Sequence, residues 1–290
     1  MAVEHSPMDV YIPQELIDHI VDFVYNDRQT LCAIRLISRS WNISARVHFF
    51  RELDLLIPRT LLIPVTMPED GGVDKFTRLL DILNTSPDMA YFVREVIIGN
   101  TTGLSMAKWN IYDPLLTRIL EQLNRVTTIY LREVNWSQLS PSFSSLLTKL
   151  FKSPQLQHLD MWNCRVPSMQ VLLDFLNSSC ALTGLRLSHI RFSNDVDPAK
   201  TYITESSTTI KKPLRRLYIE TVPIAPLLYA LLTTSPYSID ITKLRGLFLD
   251  HIDDIPSVRH FLQVAGSSLE SLEMWASICQ LLFSPFLSQH

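Results

Sequence analysis

The feature that most constrains this chain is a short frame that recurs along most of its length: an apolar residue, two variable ones, apolar, one variable, apolar. It stands at Val93-Arg94-Glu95-Val96-Ile97-Ile98, Val126-Thr127-Thr128-Ile129-Tyr130-Leu131 and Leu156-Gln157-His158-Leu159-Asp160-Met161. It returns at Leu182 to Leu187, Leu214 to Ile219, Leu244 to Leu249 and Leu269 to Met274. The starts at 93, 126, 156, 182, 214, 244 and 269 lie 25 to 33 residues apart, and Phe50 to Leu55 fits the same frame one long insertion earlier. Three residues past each frame comes another small or apolar side chain: Thr101, Val134, Cys164, Ile190, Val222, Ile252 and Ser277.

A short strand turns alternate side chains to opposite sides, so frame positions 1, 4, 6 and 9 point inward while 3, 5 and 7 face out. Helix-patterned segments lie between: Phe76–Leu83, Pro114–Leu123, Phe143–Phe151, Met169–Leu176, Ala225–Leu232 and Val258–Val264. Asp113-Pro114 and Ser168 read as helix starts. No single unit can bury its apolar face alone, but stacked units share one core. Leu185 and Leu217, at such inward positions, should tolerate no polar replacement, each contributing roughly 1.5–3 kcal/mol by burial.

This alternation resembles leucine-rich repeats, whose frame is LxxLxLxxN/CxL. The resemblance implies an α/β solenoid over residues 51–290, with parallel strands on a concave face and helices outside. Positions 3, 5 and 7 then line the face where such repeats bind partners. Counting places there Tyr130, Arg132, His158, Asp160, Trp162, Arg186, Arg216, Tyr218, Phe248 and Trp275, with Glu220, Asp250 and Glu273. Tyr, Trp and Arg dominate binding energy at interfaces, so these residues are read as the candidate target-binding set. The competing readings are a merely solvated face, or one filled by the chain's own C-terminal tail.

Residues 8–50 follow another pattern. Ile12-Pro13-Gln14-Glu15 opens a helix whose Leu16, Ile17, Ile20, Val21 and Val24 form one apolar stripe. Asn26-Asp27 can cap a second helix carrying Leu31, Ile34 and Ile37, and Ser38 a third carrying Trp41, Ala45 and Phe49. Three short helices of about forty residues are near the lower limit for independent folding, so the unit needs a neighbour: the repeats, a partner, or both.

Here the sequence is similar to an F-box. It supplies Ile12-Pro13, Glu15-Leu16, Ile20, Leu31 and Arg39-Ser40-Trp41, then Phe49-Phe50-Arg51 leading into a strand. Arg28-Gln29-Thr30-Leu31 departs from the commoner Asp-Leu start of the second helix. The whole layout, with Ser86-Pro87 and Tyr91-Phe92-Val93 before the first full repeat, resembles the F-box/leucine-rich proteins abundant in fungi. The resemblance implies docking onto a Skp-type adaptor and, through it, a cullin and a RING subunit of a ubiquitin ligase, with the repeats holding a protein substrate. Ile12, Pro13, Leu16, Ile17, Ile20, Leu31, Ile34 and Trp41 would then be adaptor-facing or motif-core positions. For each the plainer reading is packing within the three helices, on equal terms for Ile20 and Trp41, whereas Pro13 and Leu16 favour contact. Two alternatives stay open: an adaptor-bound scaffold outside any ligase, and a repeat-type binding or inhibitor protein whose helices merely cap the stack.

The rest of the sequence excludes more than it adds. A formal charge of −3 from 26 basic and 29 acidic residues suggests neither nucleic-acid nor electrostatic membrane binding. Seven glycines form no GxGxxG or GxxxxGK[ST] phosphate cradle, and there is no GxSxG elbow or HExxH pair. Cys32, Cys164, Cys180 and Cys279 make no CxxC pair, which suits a reducing setting. No cofactor, metal or independent enzymatic activity is expected; Cys164 reads as a buried apolar group, not a partner of His158. The N-terminus lacks a signal-peptide pattern, and no apolar run reaches the ~20 residues of a membrane span; a cytoplasmic or nuclear location is expected. The apolar stretch from Leu281 to Leu287 lacks the polar face of a terminal cap.

Overall fold

The structure, a computed structural model, describes residues 12–57, 71–100, 109–179, 181–193, 212–232, 239–252 and 254–275. Three helices come first: α1 (Gln14–Phe23), α2 (Arg28–Ile34) and α3 (Arg39–Phe49). Eight strands follow: β1 (Glu52–Ile57), β2 (Glu95–Asn100), β3 (Thr128–Arg132), β4 (His158–Trp162), β5 (Gly184–Ser188), β6 (Arg216–Glu220), β7 (Gly246–Asp250) and β8 (Ser271–Trp275). They form one parallel sheet in chain order. Parallel neighbours need a crossover, and in six of the seven connections a described helix supplies it: α4 (Gly71–Thr85), α5 (Trp109–Gln122), α6 (Pro141–Phe151), α7 (Met169–Ser178), α8 (Ile224–Leu232) and α9 (Ile255–Ala265); most of the connection from β5 to β6 lies outside the described residues. Two-residue pairings, Arg165–Val166 with Arg191–Phe192 and Lys212–Pro213 with Ile239–Asp240, follow or precede the main strands.

Each strand starts at the third position of its frame. Glu52, Glu95, Thr128, His158, Gly184, Arg216, Gly246 and Ser271 are therefore paired across the sheet in one row, without slip. Burial explains the register, because a one-residue shift would turn every inward side chain to solvent. Positions 1, 4, 6 and 9 are buried in the central units: Val126, Ile129, Leu131 and Val134; Leu156, Leu159, Met161 and Cys164; Leu182, Leu185, Leu187 and Ile190. The helices close over them with Phe76, Leu116, Phe143, Phe151, Leu173 and Phe261 in one continuous core. At position 8 the chain leaves the sheet through the left-handed region, at Glu133, Asn163, His189, Thr221 and His251 (φ 50 to 55°). There the amides of Glu133, Asn163, His189 and His251 donate to the position-7 carbonyls of the next strand, at 2.8–3.1 Å.

The structure corrects some expectations. Asp113-Pro114 does not open α5, which begins at Trp109 and carries Pro114 inside. Burial of Trp109 and Tyr112 draws the helix start back over a turn, outweighing the lost proline N–H. Ile37 lies beyond α2, exposed in a turn. Leu272 and Met274 of β8 occupy inward positions yet are 46% and 47% exposed, since no described element follows to cover them. Thr101, Ser277 and the Leu281–Leu287 stretch lie outside the described residues. Among the described residues, no helix is long and apolar enough to cross a membrane.

The three N-terminal helices keep their own core, Ile17, Val21, Leu31, Ile34 and Ala45, with Val24 and Trp41 packed against it; it is distinct from the core under the sheet. Asp27 caps α2, accepting from the amides of Gln29 and Thr30 at 3.0 Å. Ser44 of α3 and Gln14 donate to the Asp18 carboxylate, tying α1 to α3 and holding that carboxyl below its usual range. Phe50 packs against the sheet core, and Arg46 reaches Met89 Sδ at 3.2 Å.

Candidate functional site

The sheet face turned away from the helices carries the outward rows. Positions 3 and 5 line a groove of about 570 Å³ that runs from Arg51 and Glu95 to Ser271 and Glu273. Seven of the ten residues singled out from sequence for this face line it: Tyr130, His158, Asp160, Arg186, Arg216, Tyr218 and Phe248. Arg132, Trp162 and Trp275 do not. All three stand at position 7, one step further along their strands.

The fifth-position row puts Asp160, Arg186, Tyr218 and Phe248 on successive strands. Tyr218 and Phe248 stack with centroids 4.0 Å apart and planes 1° from parallel, and the Arg186 guanidinium lies 4.1 Å over the Tyr218 ring. Such stacking orders an otherwise flexible arginine. Arg132 grips nearly buried Asp160 with two bonds, 2.8 and 3.0 Å, so this pair is structural in the groove wall. The Tyr130 hydroxyl donates to Glu95 at 3.1 Å, and Arg51 Nε donates to the same carboxylate at 3.2 Å. Burial and that neighbouring charge push the Tyr130 phenol up to about 12.

Near the other end, Ser188 and Tyr218 donate to Glu220 at 2.7 and 3.1 Å, the Ser188 bond being the main cause of its lowered carboxyl. His158 leans over Gly184, where a Cβ would come within 2.3 Å of Nδ1, and its Nε2 is 3.5 Å from Arg216 Nη2. Burial and the Arg216 charge hold its imidazole below the usual 6.5. With a depressed pKa the fold favours neutral His158, so the stability this provides is present above pH 6.5 and is lost as pH falls through the lower value. Glu95 and Ser188 were missed from sequence; counting to positions 3 and 7 of their frames finds them, although their partners do not follow from counting.

Cys164 is fully buried on the other side of the sheet, its thiol pushed up to about 12 by burial. It is therefore no nucleophile for His158. Among the described residues, no cluster of three or more His, Cys, Asp or Glu could hold a metal ion.

The second candidate surface is on α1. The stripe read as one from sequence splits in two: Ile17 and Val21 are buried, while Leu16 is 54% and Ile20 45% exposed beside exposed Ile12 and Pro13. Leu31 and Ile34 are buried and Trp41 half-buried in the same small core. Of the eight positions assigned to adaptor contact or motif core, Ile12, Pro13, Leu16 and Ile20 can meet a partner. Ile17, Leu31 and Ile34 cannot, because the three helices enclose them, and Trp41 packs on that core. No protein-family model matches the chain, and a search of curated proteins finds no match.

Proposed function

We propose that the chain is a non-catalytic substrate receptor of a cullin-type ubiquitin ligase: an F-box made by α1–α3 holds a Skp-type adaptor, and leucine-rich repeats hold a target protein on the grooved face. The observation that carries this reading is the apolar strip Ile12, Pro13, Leu16 and Ile20, open on a helical unit whose core is separate from that of the sheet. A unit that only capped the stack would bury its apolar stripe into the stack, and this one presents half of it outward. Apolar side chains left open in a group mark an interaction surface. The grooved face, rich in aromatic and arginine side chains, suits the target. Bringing a bound target near a charged conjugating enzyme raises effective concentration and requires no catalytic group on this chain.

The test is co-purification from cells. Adaptor and cullin should accompany the wild-type chain, and the double variant Pro13→Ala, Leu16→Ala should lose both, with its unfolding midpoint unchanged because neither side chain is buried. Adaptor without cullin would point to a scaffold outside a ligase. Capture of neither by the wild-type chain refutes the receptor role.

A further inference from the structure

We infer that the centre of the groove is an oxyanion subsite, formed by Arg186, Arg216 and His158 around the glycine floor at Gly184, that receives a phosphate or carboxylate carried on a protein segment. This rests on reading the face as the target-binding surface and adds the chemistry of what it takes.

The placement follows from the rows. Gly184 is paired with His158 on one side and Arg216 on the other, and Arg186 stands two residues along the same strand, on the same face. Arg216 is paired with a second glycine, Gly246, on β7. With no side chain at either neighbouring third position, the space over Gly184 is left to the His158 ring, whose Nε2 lies 3.5 Å from Arg216 Nη2, and the Gly246 side carries no side chain. Of the carboxylates lining the groove, Asp160 is engaged by Arg132 and Glu95 by Arg51 and Tyr130, while Glu273 stands on β8, two strands from Arg216; Glu220, further along β6, accepts from Ser188 and Tyr218 and also feels the Arg186 charge. Among the described residues neither Arg186 nor Arg216 is ion-paired. Arg186 and Arg216 thus bring to one stretch of the groove two guanidiniums without an ion pair among the described residues, with neutral His158 beside the second, and an anion would supply their counter-charge. Guanidinium matches the paired oxygens of phosphate or carboxylate. A groove of about 570 Å³ holds far more than a lone ion, and Tyr218 and Phe248 continue it as an apolar wall. The anion therefore arrives attached to a longer chain.

The experiment titrates the full chain with inorganic phosphate and, separately, with acetate, following the arginine Nε–H and histidine resonances. Saturable shifts at Arg186, Arg216 and His158 are expected. Either Arg186→Gln or Arg216→Gln should weaken binding about tenfold. Arg245→Gln, at a rim residue paired with Glu270, should leave it unchanged. His158, faced by the charges of Arg216 and Glu95, should take up its proton at higher pH once the anion is bound. Phosphate binding ahead of acetate identifies a phosphorylated segment; the reverse identifies an acidic side chain or C-terminus. Absence of saturable shifts with both anions, or wild-type affinity in both arginine variants, overturns the subsite. Neither arm involves the adaptor. Loss of the subsite with adaptor capture intact removes this inference alone, and anion binding without adaptor capture removes the ligase role alone.

Discussion

Gly99 shows how much one position can depend on a distant one. Its φ of 149° and the Arg132 carbonyl oxygen, 1.8 Å from where a Cβ would stand, exclude any side chain. Gly99→Ala should cost about 3 kcal/mol, seen as a lower urea midpoint with an unchanged slope. Nothing in the sequence around Gly99 declares this, because the obstruction is backbone from the next strand. The same limit applies at Leu16 and Ile17. Adjacent residues on a helix point about 100° apart, so a stripe containing both is too wide for one contact. Which half turns inward was decided by α2 and α3, not by α1's own pattern. Asn163 occupies the left-handed turn that Thr221 also adopts; asparagine suits it and a β-branched residue does not, so the turn is imposed by the stack rather than by local preference.

Among elements, strands were more legible than helices. A strand here is fixed by a two-sided alternation and, for the six between β1 and β8, by pairing on both edges, and all eight begin two residues after their frame starts. A helix end is set by whatever it packs on. Asp113 illustrates the difference: it reads as a start signal for α5, yet it is buried inside that helix and accepts from the Ser140 hydroxyl at 2.8 Å and amide at 3.2 Å. Ser140 in turn caps α6 through the Phe143 amide. Asp113→Ala should therefore destabilise by about 2 kcal/mol, leaving the half-buried Ser140 amide without its acceptor. Ser140→Ala should cost less, about 1 kcal/mol. Thermal unfolding of both variants checks the order. The face of the sheet was legible as rows of letters, and seven of ten chosen residues line the groove. The pairings within it, such as Arg132 with Asp160, depend on how long side chains cross between strands and were not.

At the scale of the molecule, two cores of very different size share one chain. Five buried apolar residues hold α1–α3, while an unbroken core lies under the sheet. Local opening follows such differences. Amide hydrogen exchange in α1–α3 should be faster than in β3–β6, and the proposed adaptor docking should slow the former alone. Equal protection in both would mean that they unfold as one unit. The unslipped row of third positions has a broader consequence. Connections of unequal length leave the register untouched, so lengthening a loop does not displace a letter on the grooved face. One outward residue can then be exchanged without re-aiming its neighbours, and selection can rewrite the grooved face one character at a time.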